Sequence, residues 1–305
     1  MKPHAFIACV IAFTAVSPVF AADHVKSGGH IVATTAEGAG RSGPYFIEGA
    51  EPGDLIVVTV VALEPASTTG TSASVMTANS VDPKSLGTKG APVPWTIDRA
   101  KGVARFDLQK VIANVDWATR YSPPVYELPL RPMLRSIGTA PGGRESIAWA
   151  GARVMLPVNE PGALLSFGRG VARSGDGNVV GTGIETTLAV DLSVEVVKKK
   201  EWPHSSVARA STIAGEFELG WPRIETADSL MAVGSAATLH EALQHATTEL
   251  HHWLDDDFGF SERSLSIFLG PALEYEVVDV AGPVFTVIAK VKKSYIPKIT
   301  PAPAP

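Results

Sequence analysis

Cysteine is almost absent from this chain. The single Cys9 lies in the apolar N-terminal stretch, so nothing downstream can form a disulfide, a thiolate nucleophile or a sulfur-ligated zinc site. A basic patch is missing as well. With 26 Lys and Arg against 31 Asp and Glu, the formal net charge is −5, which argues against a nucleic acid as partner. Beyond the first residues no apolar run approaches the roughly 20 residues that span a bilayer, so no stable membrane anchor is expected. Walker and Rossmann glycine signatures are absent, as is any Ser-His-Asp or Lys-Ser-Ser arrangement.

What is present begins with an export pattern. Lys2 supplies a positive end, Ala5 to Val16 an apolar stretch, and Val19-Phe20-Ala21 a small-residue cleavage site. This order predicts a signal peptide over residues 1–21 and a periplasmic or secreted mature chain. Residues 22–42 are rich in small residues and 297–305 form a Pro-Ala run. Both are expected to be flexible. Hydrophobic residues make up 45% of the chain against 19% charged. That suffices for one large core over residues 43–296.

Most of that span reads as strand. Leu55 to Leu63 is a continuous apolar run that suits a buried strand. From Leu188 to Val196 apolar residues alternate with Ala189, Asp191, Ser193 and Glu195, as in a sheet with one wet face. Tyr275 to Val280 and Val284 to Val291 read as a hairpin, and Ser67 to Pro94 as a long surface loop. One helix is clear. Thr238 and Glu241 form a capping box, and Leu239, Ala242, Leu243, Ala246, Leu250, Trp253 and Leu254 recur at helical spacing up to Gly259. A shorter helix follows Ser261. The class is α+β, mainly β.

The histidines of the long helix suggest a metal motif but miss its spacing. His240-Glu241 and His245 are one residue too far apart for both imidazoles to meet one zinc. His245, Glu249 and His252 share a face opposite the apolar stripe and are expected to be solvated. The acidic triplet Asp255 to Asp257 is expected past the helix end, because carboxylates there oppose the dipole.

The densest signal is the glycine-punctuated stretch from Gly168 to Glu185, set between two strands. Such punctuation marks tight turns and close backbone approach. Its carboxylates are Asp176 and Glu185. Each has a plainer reading as well as a catalytic one, since Asp-Gly is a common turn pair. Arg169 and Arg173 stand on the same rim. They suit an anionic ligand, or each pairs with a nearby acid to steady the loop.

This stretch resembles the acetamidase/formamidase family, whose members carry Gly-Asp-x-His-Ala-x-x-Gly-Asp-Gly-Glu and then Gly-Thr-Ala-Ile-Glu after a Pro-Gly-Ala-Leu turn. Here Pro161-Gly162-Ala163-Leu164, Gly168, Ala172, Gly175-Asp176-Gly177 and Gly181-Thr182-Gly183-Ile184-Glu185 keep that register without a gap. Gly43 to Asp54, with Glu48-Gly49-Ala50-Glu51-Pro52-Gly53, resembles a second family motif, and Leu128 to Pro141 a third. The resemblance implies a β-sandwich or barrel core with a late α-helical excursion. It further implies hydrolysis of the carbon–nitrogen bond of small linear amides, with a carboxylate and ammonia as products.

The resemblance also points to a divalent metal, but Arg169, Val171 and Asn178 replace the family's Asp, His and Glu. The metal ligand set is therefore largely missing and the metal unknown. Asp176 and Glu185 are the expected catalytic acid and base; Glu48, Gly175 and Gly177 are the expected substrate-binding residues. Glu48 reads equally as a surface residue before Pro52-Gly53. The three carboxylates are expected to converge on one pocket that takes a small amide or carboxylate. A homo-oligomer remains open, as does a second function, a binding or structural protein that keeps the fold and has lost catalysis.

Overall fold

The structure is a computed structural model that describes residues 23–38, 40–86, 90–108, 125–140, 144–199 and 220–296. The expected signal peptide and the Pro-Ala tail lie outside the described residues. The chain enters through β1 (Asp23–Val25), β2 (Gly29–Thr34), β3 (Arg41–Ile47) and the long β4 (Leu55–Pro65). There follow β5 (Thr69–Ser72), β6 (Val93–Asp98), β7 (Val103–Asp107), β8 (Val125–Pro129), β9 (Met133–Gly138), β10 (Ser146–Trp149) and β11 (Arg153–Pro157). Next come β12 (Leu165–Arg173), β13 (Ile184–Glu185), β14 (Leu188–Val197), β15 (Arg223–Glu225) and β16 (Ser229–Ala236). Helices α1 (Leu239–Phe258) and α2 (Glu262–Ala272) precede the hairpin β17 (Glu274–Asp279) and β18 (Phe285–Lys292).

These elements make two sheets. One runs β1-β3-β12-β13-β5-β6-β7-β8, with β9 paired to β12 and β10 to β9; the other runs β17-β18-β16-β15-β11-β4-β14-β2. The sheets share a dry core built from Ile56, Val58, Phe167, Leu188, Leu192 and their neighbours. The outer face of the second sheet is covered by α1 and α2 through Val57, Met155, Leu250, Trp253 and Leu265. The burial of β4 on both faces explains its unbroken apolar run. On β14 the alternation holds, with Val190, Leu192 and Val194 buried and Ala189 and Glu195 exposed. The α+β, mainly β sandwich with a late helical excursion is thus observed.

Local signals placed the helix ends well. The Thr238 hydroxyl accepts the Glu241 amide at 3.2 Å, and Gly259 closes α1 with φ 68°. Three expectations fail. The described part of residues 22–42 is not a loose leader: β1, β2 and the start of β3 lie there, because Ile31 has a core to enter. The segment from Ser67 to Pro94 carries β5 and the start of β6 rather than loop alone. The triplet Asp255 to Asp257 lies inside α1, where Arg223 sits 3.9 Å from Asp257 and offsets the unfavourable dipole.

Asp54, in the turn before β4, ties that turn to the end of β14. Burial alone would push its carboxyl upward. Outweighing this are hydrogen bonds from Lys198 Nζ at 2.7 Å and from the amides of Lys199 and Glu51 at 3.0 Å, which hold it below the ordinary aspartate range. A depressed folded-state value means that its stabilisation is present above the unfolded value and is lost as pH falls through the folded one. Asp54→Asn should therefore destabilise the protein near neutrality and flatten its acid-unfolding curve below about pH 4. Urea unfolding at a series of pH values reads both effects.

Candidate active site

The matched glycine-rich stretch is a strand, a turn and a strand. β12 carries Arg169 and Val171, a 3-10 turn spans Asp176–Asn178, and β13 ends on Glu185 opposite Val171. The turn needs Gly177, whose φ is 73°, and the Gly177 carbonyl accepts the Val280 amide at 2.9 Å. This bond fixes the rim to the end of β17, the edge strand of the other sheet. The site therefore lies where the two sheets meet at one end of the sandwich.

A cleft of about 490 Å³ opens there, lined by Arg135, Arg144, Arg169, Trp221, Ser235 and Asp279 among others. Asp279 is its deepest carboxylate, and donors from three elements hold it. Arg135 forms an ion pair with it, Asn178 Nδ2 donates at 3.0 Å and the Ala281 amide at 2.8 Å. The Arg135 side chain is 4% exposed. It also donates to Ser174 Oγ at 2.8 Å. Burial pulls its guanidinium below the usual arginine range; Asp279 pulls upward, and the charge of Arg169 pulls down again. Two buried atoms have no hydrogen-bond partner, Arg135 Nε and Asn178 Oδ1.

Arg169 adopts φ 54°, rare for a residue with a side chain. On β12 and β9, Gly168 pairs with Ser136 and Gly170 with Leu134, so Arg169 falls opposite Arg135. Arg173 donates to the Pro129 carbonyl at 2.8 Å, and among the described residues no carboxylate pairs with Arg169. The expectation that each arginine of the rim is matched by an acid therefore fails. At the cleft mouth Trp221 lies between Arg144, 4.2 Å from the ring centroid, and His245 at 4.6 Å. The Trp221 amide donates to Glu249 Oε2 at 3.1 Å. Glu249 is 3% exposed and bonds the fully buried Arg223 at 2.6 Å, so the polar face of α1 is not solvated as expected. It packs against Trp221 and Arg223 instead.

The carboxylates taken from the sequence are only partly gathered. Glu185 is half-buried on β13, and its charge acts on Arg135. Asp176 and Gly175 are exposed and line a small recess on the other side of Arg135. Glu48 lies elsewhere. Its carboxylate is 3.8 Å from His24. Tyr45 pairs with Leu165, whereas Glu185 pairs with Val171, which separates Glu48 from Glu185 by nine strand positions, roughly 30 Å. Glu48 therefore does not converge with Asp176 and Glu185, because its motif caps the opposite end of the sandwich. Arg135, Asp279 and Trp221 were missed. The only hint was a charge inside the apolar run Met133–Gly138.

The rim does not fit a divalent cation. Val171 is fully buried and carries no donor atom, Asn178 spends its amide nitrogen on Asp279, and two guanidinium groups line the same space. Among the described residues no group of three His, Asp or Glu is placed to hold a metal.

The two-sheet sandwich with its helical cover is similar in fold to solved acetamidases. An acetamidase from Yersinia enterocolitica superposes with TM-score 0.69 at 20% identity, over 92% of this chain and 88% of that one. An acetamidase from Bacillus halodurans gives TM-score 0.69 at 21%, over 90% and 92%. A predicted acetamidase/formamidase from Thermoanaerobacter tengcongensis gives 0.64 at 21%, over 89% of both. The chain has the acetamidase/formamidase fold. No family model and no curated protein matches it.

Proposed function

We propose that this chain is a hydrolase of the carbon–nitrogen bond in small linear amides, exported by its N-terminal signal. One observation carries the reading. The stretch from Gly168 to Glu185, in register with the family's glycine-rich motif, places Arg169 in the lining of the cleft. Hydrolysis adds water across the C–N bond and yields a carboxylate and ammonia. Arg135, which lines the same cleft, would polarise the carbonyl oxygen and hold the developing negative charge. Glu185, whose charge reaches Arg135, would accept the proton of the attacking water and pass it to the leaving nitrogen. A second reading, a binding protein that no longer hydrolyses, is favoured by the commitment of Asp279 to Arg135 and Asn178.

Ammonia release from formamide and acetamide by the purified chain separates the two. The amidase reading expects release that falls about 100-fold or more when the base is removed by Glu185→Gln. The absence of release from either amide would leave the binding reading in its place.

A further inference from the structure

Three arginines line the cleft, yet each cleft carboxylate is already committed. Glu145 pairs with Arg41 outside the cleft, and Asp279 pairs with Arg135. Arg144 lies over the Trp221 ring. This leaves Arg169 as a cation facing the cleft and standing opposite Arg135 on the adjacent strand. Like charges at directly opposed positions destabilise a sheet. The left-handed backbone at Arg169 adds strain. A fold that tolerates both costs at one residue has a cleft suited to an anion. The remaining walls are apolar or weakly polar, with Ile147, Val278, Val284 and Thr286, which suits a short carbon chain.

We propose that the cleft selects small amides that carry a carboxylate, with Arg169 as the ion-pair partner of that carboxylate. The amide half of this statement rests on the hydrolase reading above; the carboxylate half does not. Phosphate-like anions fit less well, because the cleft backs its charge with apolar walls rather than with a nest of amides. Guanidinium pairs a carboxylate through two parallel N–H···O bonds, so a lysine would be a poor substitute.

The test is calorimetric titration of the full chain with succinamate and with butyramide, which share a carbon skeleton and differ in the carboxylate. Succinamate should bind at least about tenfold more tightly. That preference should disappear in Arg169→Gly, which also relieves the backbone strain and so should not unfold. Arg169→Gln is a second variant that keeps side-chain bulk, and thermal unfolding of both confirms the fold. Equal binding of the two probes to the wild type, or a preference that survives in both variants, overturns the proposal. Ammonia measured in the same samples keeps the readings apart. Preferential binding of succinamate without ammonia release upholds the carboxylate site and defeats the hydrolase reading. Ammonia from butyramide with no preference for succinamate does the reverse.

Discussion

Replacing Glu249 with alanine should lower the unfolding free energy by about 3–5 kcal/mol. Arg223 is 0% exposed and Glu249 3%. Removing the carboxylate takes away the anion that Arg223 bonds at 2.6 Å in the dry layer between α1 and β15. Asp257 Oδ2, 3.9 Å from Arg223 Nη1, and the Trp253 ring, at 5.1 Å, are weaker neighbours than a carboxylate at hydrogen-bond distance. Arg223→Met with Glu249→Leu should recover much of the loss, because removing both charges leaves neither uncompensated. Urea unfolding of the two variants measures this; a Glu249→Ala protein within about 1 kcal/mol of wild type would refute it. The loss should also reach the cleft, since Glu249 accepts the Trp221 amide. Ligand affinity should fall in Glu249→Ala even where the protein remains folded.

The second large effect is expected at Gly234 on β16. A methyl group built there would lie 2.2 Å from the Ala242 carbonyl oxygen and 2.4 Å from the Ala246 amide nitrogen of α1. Both atoms are backbone, so no side chain can rotate away. The helix itself must move off the sheet. Gly234→Ala should cost about 3 kcal/mol and lower Tm by about 5–10 °C. Ser235, next along β16, lines the cleft, and its carbonyl meets His245 Nδ1 at 3.1 Å. Displacing α1 should therefore weaken ligand binding too. A thermal scan showing an unchanged Tm would mean that the helix approaches β16 less closely than described.

What was legible in the chain follows physical range. Capping residues act within one turn, so Thr238, Gly259 and Ser261 marked the helix ends correctly. Alternation acts between neighbours, so β14 was readable. The glycine-rich register located the rim because backbone turns constrain local sequence. The ion pair of Arg135 with Asp279 joins residues from opposite halves of the chain, and nothing local marks either one as the partner of the other. The polar face of α1 misled for a related reason. Periodicity tells which residues avoid the apolar core, and Glu249 does avoid it, but a second polar layer with Arg223 lies on that side. Glu48 sits in a well-matched motif at the far end of the sandwich, where a sequence match carries no distance.

The place of β2 sets a constraint on synthesis. Among the described residues β2 is an edge strand whose sole partner in its sheet is β14, with His30 opposite Ser193. At roughly 5–20 residues per second, about 10–30 s separate the emergence of the two from a ribosome. β3 waits similarly for β12, where Tyr45 pairs with Leu165. β1 and β3 can pair with each other early, but β2 is among the last strands to find its neighbour. The nascent chain therefore carries Ile31 and Ile47 uncovered for most of its elongation, and the sandwich closes only once β14 has emerged.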